Sequence, residues 1–135
     1  MSGARYLNPP ALFRPPGYSH VVEVTGPGRT IYIAGQVGID RGGKIAGAPG
    51  DARAQIVQAF ENLKTALTEV GATFADVVKI TNYLVDIAHL KDFREVRDSY
   101  IDTTAPPAST LLVVSRLAVD GLLFEIDAVA ALRQE

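Results

Sequence analysis

Glu125 and Asp127 are the residues of this chain whose placement most invites chemistry. They interrupt Leu122–Ala131, a run otherwise made of Leu, Phe, Ile, Val and Ala. Burying an unpaired carboxylate is expensive, so acids in such a run require a partner, a cleft or a subunit interface. Glu125 reads as a general base or as the holder of an attacking water. The competing reading is a carboxylate that caps a backbone N–H or pairs with Arg116 at a subunit contact. Asp127 lies two residues on, hence on the same strand face and within ~7 Å. The two acids can tune each other's pKa or bind a cation, or stand as a solvated or salt-bridged pair.

Three other positions carry weaker signals. Tyr18 follows Pro16-Gly17 on a loop, where binding groups often sit. Its hydroxyl can orient a ligand, or its ring can plug an interface. Gly35 allows close backbone approach and an N–H for a ligand oxygen, and equally fits a strand bulge. Ser109 follows Pro106-Pro107-Ala108 and has no evident base beyond the two histidines, which argues against a serine nucleophile. His20 and His89 lack metal-ligand spacing with any other strong ligand, so no metal is expected. Neither a phosphate-binding Gly-Lys-Ser motif nor a dinucleotide glycine fingerprint is present, and no cofactor is expected.

The elements that must position these residues follow from periodicity. Residues 1–19 contain Pro9, Pro10, Pro15, Pro16 and Gly17, which bar regular structure and predict an extended arm. His20–Thr25 alternates as a first strand, Gly26-Pro27-Gly28 turns, and Thr30–Val37 is a second strand. The turn Arg41-Gly42-Gly43-Lys44 leaves room for a short further strand. Ile56, Phe60, Leu63, Leu67 and Val70 form one apolar stripe and predict a helix over Asp51–Val70, with Asp51 at its start and Gly71 past its end. Phe74–Asp76 reads as a short helical turn before the strand Val77–Val85, and Leu90–Tyr100 as a second amphipathic helix. Thr103–Pro107 breaks the chain before two last strands, Leu111–Leu117 and Leu122–Ala131, separated by Asp120-Gly121. The order β-β-α-β-α-β-β predicts an α+β sandwich, with two helices on one face of the sheet.

Composition narrows the rest. At 135 residues the chain is read as one domain, 1–135. A net charge of −2 and a pI near 5.7 give no basic excess for nucleic acid, and there is no basic-aromatic stripe for RNA. No apolar run approaches the ~18 residues of a membrane span, and the N-terminus lacks a secretory apolar region. The absence of cysteine removes disulfides, thiolate metal sites and a cysteine nucleophile, which fits a cytoplasmic protein. The central strands read as apolar on both faces, which predicts helices on one side and another subunit on the other.

The same residues carry a family likeness. Pro107-Ala108-Ser109-Thr110, Ser115-Arg116-Leu117 and Phe124-Glu125-Ile126-Asp127-Ala128-Val129-Ala130 resemble the C-terminal signature of the RidA/YjgF family. Arg14-Pro15-Pro16-Gly17-Tyr18-Ser19, Ile33-Ala34-Gly35-Gln36-Val37, Gln58–Leu63 and Asp76–Thr81 match further family segments in order. The resemblance implies a RidA-like (chorismate-mutase-like) homotrimer with small-molecule clefts between subunits. It further implies an enzyme that hydrolyses reactive enamines or imines, Glu125 positioning water against a C=N carbon, the backbone near Gly35 holding ligand and Tyr18 closing the cleft. The alternatives are a non-catalytic metabolite-binding trimer and, less favoured, an endoribonuclease. One position departs. Where the best-understood branch has the arginine that holds the substrate carboxylate, this chain has Ser109, so a substrate other than the usual 2-imino acids is expected. Arg97 stands where many members have an asparagine near the cleft. It reads either as a relocated guanidinium or as a solvated helix arginine paired with Glu95 or Asp98.

Overall fold

The computed structural model describes residues 3–134. Strands β1 (Ala4–Leu7), β2 (Val21–Val24) and β3 (Gly28–Val37) lead into helix α1 (Ala52–Glu69). A 3₁₀ turn at Phe74–Asp76 then precedes β4 (Val77–Leu84), a second at Ile87–His89 precedes α2 (Leu90–Tyr100), and β5 (Ala108–Val113) and β6 (Phe124–Arg133) complete the order. Four strands form one mixed sheet in the order β3-β6-β4-β5, antiparallel except for the parallel β4–β5 pair. β1 and β2 form a separate antiparallel ribbon. This is the expected two-helix α+β architecture.

Both helices cover one face. Asp51 accepts a hydrogen bond from the Ala54 N–H at 3.0 Å and so caps α1. Gly71 takes φ +76° just past the helix end, a conformation that a side chain disfavours. Ile56, Ala59, Phe60 and Leu63 are wholly buried against Ile80, Leu84, Phe124, Ile126 and Ala128 of the sheet. Phe60 lies at the centre, its ring 5.1–6.5 Å from those of Tyr100, Phe74, Phe124 and Phe93. Each such side chain is worth about 1.5–3 kcal/mol of burial.

The structure corrects several boundaries. The arm is not wholly irregular, because Ala4–Leu7 pairs with Val21–Val24. Around the Arg41–Lys44 turn there is a lone Ile39–Ile45 bridge rather than a further strand. β5 begins at Ala108 and stops at Val113, because β4 offers partners only from Lys79 to Leu84. The last two strands share a sheet but are not neighbours, since β4 lies between them. Nor is the second sheet face apolar throughout. It presents Tyr32, 79 % exposed, with Val129 and Leu112, yet also Lys79, Glu125 and Asp127.

Candidate functional site

β6 alternates as a half-buried strand should. Phe124, Ile126, Ala128 and Ala130 point into the core, and Glu125, Asp127 and Val129 point to the uncovered face. Glu125 stands opposite Tyr83 on β4 and Val37 on β3. The β3–β6 register slips between Ile33 and Gln36, which places Gly35 in an irregularity beside the carboxylate. A Cβ built on Gly35 would fall 1.8 Å from Glu125 Oε2, so only glycine admits the acid here. The bulge reading of Gly35 holds, and the group that approaches it is the Glu125 carboxylate.

Glu125 has no side-chain hydrogen bond or ion pair among the described residues. Arg116, one proposed partner, binds Asp120 at 2.6 Å instead. Asp127 is engaged: the Tyr83 hydroxyl donates to its Oδ2 at 3.0 Å. That hydrogen bond, with some desolvation and the charges of Asp127 and Glu125, raises the Tyr83 pKa above its usual 10.0. Of the two acids, Glu125 is therefore the one with no side-chain partner among the described residues. Among the described residues no three His, Asp or Glu side chains converge as metal ligands.

Tyr18, Arg97 and Ser109 form a second group, under the sheet edge. The Ser19 hydroxyl donates to the Pro106 carbonyl at 2.6 Å and its N–H to that of Pro107 at 3.1 Å. This ties the Pro15–Ser19 loop to the start of β5, where the prolines have no N–H to compete. Tyr18 is half-buried, edge-on to His20 at 5.5 Å. With Pro16, Phe93, Arg94, Arg97 and Ser109 it lines a small pocket of about 130 Å³.

Arg97 is not the solvated helix arginine of the sequence reading. Its side chain is 9 % exposed, its Nε donates to Asp98 at 2.9 Å, and its guanidinium lies over the Phe93 ring at 5.6 Å. Glu95 is taken by Arg53. Gly17, at φ +92°, lets the backbone pass so close that a Cβ would meet Arg97 Nη2 at 2.6 Å.

Asn82, fully buried on β4, was not evident from sequence. It donates to Ser109 Oγ at 3.0 Å and to the Thr110 carbonyl at 3.1 Å, while its own Oδ1 is buried without a partner. The available signal was a lone amide in the apolar alternation Ile80-Thr81-Asn82-Tyr83-Leu84. Gln55, equally buried, donates to the Gly121 carbonyl and accepts from the Leu123 N–H, fixing the loop that delivers β6.

The candidate residues thus fall into two groups on opposite sides of the sheet. Ser109 pairs with the core residue Ile80 and faces α2, whereas Glu125 pairs with Tyr83 on the uncovered face. Two strand spacings, about 10 Å, separate β5 from β6. Within one copy the groups cannot grip the same small molecule.

Comparison with known proteins adds an independent line. Residues 12–132 match the family model described as Endoribonuclease L-PSP. The chain is 39 % identical over 114 residues to a RutC family protein of Pyrococcus abyssi, covering 84 % of each chain. It is 34 % identical over 122 residues to a mouse protein named 2-iminobutanoate/2-iminopropanoate deaminase, covering 90 % of this chain and 84 % of that one. A crystal structure of a conserved Rid-family protein of unknown function from Yersinia pestis superposes with a TM-score of 0.83 at 37 % identity, covering 96 % of this chain and 99 % of that one.

Proposed function

Since the chain belongs to the endoribonuclease L-PSP family, also called RidA/YjgF, we propose that it hydrolyses a small reactive imine or enamine to a carbonyl compound and ammonia. The observation that carries this reading is Glu125: a carboxylate without a side-chain partner among the described residues, on an uncovered sheet face, beside a glycine that makes room for it. The two half-sites fit a homotrimer whose clefts lie between subunits, with Glu125 and Gly35 of one copy facing the Tyr18–Ser109 group of the next. A partly apolar face bearing Tyr32, Val129 and Leu112 fits the same assembly.

In this mechanism Glu125 accepts a proton from a water as its oxygen bonds to the C=N carbon, and the π pair moves to nitrogen. Glu125 returns that proton to nitrogen, giving the carbinolamine. It then takes the hydroxyl proton and passes it to the same nitrogen as the C–N bond breaks and the C=O forms, so one imine and one water give one carbonyl and one ammonia. The backbone at Gly35 holds a ligand oxygen, and Tyr18 closes the cleft. The mouse relative's name points to imines of this size. A net charge of −2 gives a ribonuclease no electrostatic footprint.

The test is ammonia release from imines generated in place by an amino-acid oxidase, with the native chain and Glu125→Gln. Glutamine keeps the shape and one acceptor oxygen but cannot take the proton, so a loss of at least about a hundredfold is expected, within the 10²–10⁴ range of acid–base catalysis. Sedimentation is expected to show a trimer for both proteins. Full activity in Glu125→Gln with the assembly intact removes the glutamate from the mechanism. Binding without turnover in the native chain favours the non-catalytic metabolite-binding trimer.

A further inference from the structure

One phenol and two carboxylates share the uncovered face around the proposed base. Tyr83 on β4 stands directly opposite Glu125 on β6, and Thr81 stands opposite Asp127. Directly opposed side chains start about 4.5–5.5 Å apart and diagonal ones ~7–8 Å apart, both within reach of a tyrosine. By register, then, Glu125 is the nearer acid. The hydroxyl nonetheless passes it and donates to Asp127 Oδ2 at 3.0 Å. A phenol has a single O–H, so while it is held by Asp127 it cannot donate to Glu125.

The glutamate is turned the other way. Its Oε2 occupies the place that a Cβ on Gly35 would take. Gly35 belongs to β3, and β3 and β4 flank β6 on opposite sides. The carboxylate therefore leans toward β3, while the phenol on the β4 side reaches along β6 to Asp127. The remaining charged group of this face, Lys79, donates to Thr110 Oγ1 at 2.6 Å and pairs with neither acid among the described residues. A hydroxyl donated to a carboxylate favours its charged form and so weakens it as a base, besides filling a lone pair that an attacking water needs. We propose that Asp127 is a positioning residue that holds the Tyr83 hydroxyl away from Glu125, leaving both glutamate oxygens to water and substrate. This rests on the imine-hydrolysis reading and deepens it: one acid of β6 reacts, and the other restrains the donor best placed to quench it.

The test is a suppressor cycle. Asp127→Ala, Asp127→Asn, Tyr83→Phe and Asp127→Ala combined with Tyr83→Phe are each checked for native unfolding temperature and sedimentation. Then kcat/KM is measured on imines generated in place by an amino-acid oxidase. Asp127→Ala releases the phenol to donate to the Glu125 carboxylate, and should lower kcat/KM tenfold to a hundredfold. Asp127→Asn keeps an acceptor oxygen in place and should lose less. Tyr83→Phe alone should turn over like the native chain. In the combined variant no hydroxyl remains to be restrained, so activity should return to the level of Tyr83→Phe. Native activity in folded Asp127→Ala overturns the proposal. So does a loss that Tyr83→Phe fails to relieve, or a loss in Tyr83→Phe alone, which would make the phenol a participant. Should Asp127→Ala not assemble, Asp127→Asn with and without Tyr83→Phe makes the same comparison.

A second readout needs no turnover. The Tyr83 phenol is followed by tyrosinate absorbance, taken as the difference from the matching Tyr83→Phe protein. In Asp127→Ala its titration should stay above 10, because its new partner is again a carboxylate, and adding Glu125→Gln should bring it down toward 10. A fall toward 10 in Asp127→Ala alone shows that the phenol does not move to Glu125 and overturns the proposal. If the titration follows the expected course and no protein hydrolyses any imine, the restraint stands and the hydrolysis reading falls. If the native chain hydrolyses imines through Glu125 and the titration falls in Asp127→Ala alone, the hydrolysis reading stands and the restraint falls.

Discussion

Glu125 and Arg97 are held in place by opposite means. The glutamate projects from a central strand, aimed by backbone register, and what surrounds it is mostly empty space made by a glycine. The arginine lies beneath a proline-rich loop, aimed by packing against Phe93 and by one neighbouring carboxylate. One half-site is an acid without a cation, and the other is a cation pair without an acid in its lining. Arg97 is balanced through Nε by Asp98, whereas Glu125 has no cation beside it among the described residues. The asymmetry teaches that a sheet register can hold a reactive acid still, while a guanidinium needs walls.

Changing the two glycines tests that contrast most sharply. Gly35→Ala puts a methyl group 1.8 Å from Glu125 Oε2, so the carboxylate must swing away. A displacement of about 1 Å at a reacting group costs on the order of a hundredfold. The expected result is that loss in kcat/KM for imine hydrolysis, with unfolding temperature preserved. Normal turnover in Gly35→Ala would show that the acid is not held by this contact.

Gly17→Ala acts on the other half. Its φ of +92° strains any L side chain, costing roughly 1–2 kcal/mol, and the new methyl group pushes on Arg97 Nη2, the far end of a flexible chain. Lower stability is expected, read as a fall in the thermal unfolding temperature. An unchanged unfolding temperature in Gly17→Ala would show that the loop yields to the methyl group without cost.

A finer probe distinguishes the two acids of β6. The Asp127 carboxylate accepts from the Tyr83 phenol and so favours the neutral phenol, raising its pKa. In Asp127→Asn, tyrosinate absorbance should place that titration back toward 10. The sign for stability follows. A phenol whose folded pKa is raised contributes stability that is complete below ~10 and is lost as pH rises through the folded value. The native chain should therefore lose a small stabilisation above pH 10 that Asp127→Asn lacks. Glu125→Gln should move the tyrosine much less, since the glutamate acts on it only through charge.

The helices, the sheet class and the acids of β6 were legible because each depends on local pattern: a stripe at steps of three and four, or two charges in an apolar run. The family signature covered the same ground. What sequence concealed was the company residues keep. Arg97 looks like any helix cation until Phe93, Gly17 and Asp98 enclose it. Asn82 announces nothing until Ser109 meets it across a parallel strand pair, a contact between residues 27 apart. β1 was hidden by the prolines that follow it, and its partner Val21–Val24 lies beyond them. That β4 separates β5 from β6 is a choice of partners, which alternation along one strand does not encode.

The position of β6 also bears on how the protein is born. The last strand of the described residues occupies an interior place, between β3 and β4, and bears the carboxylate that the proposed chemistry needs. Until the ribosome delivers Phe124–Arg133, β3 and β4 have no common neighbour, and the inner surface of α1 has nothing at the centre of the sheet to rest on. Until β6 emerges, β3 and the inner edge of β4 therefore stay unpaired, the interval in which aggregation and chaperone capture compete with folding. The strand that closes the core is also the one that presents Glu125, so core closure and the placing of that carboxylate beside Gly35 are a single event.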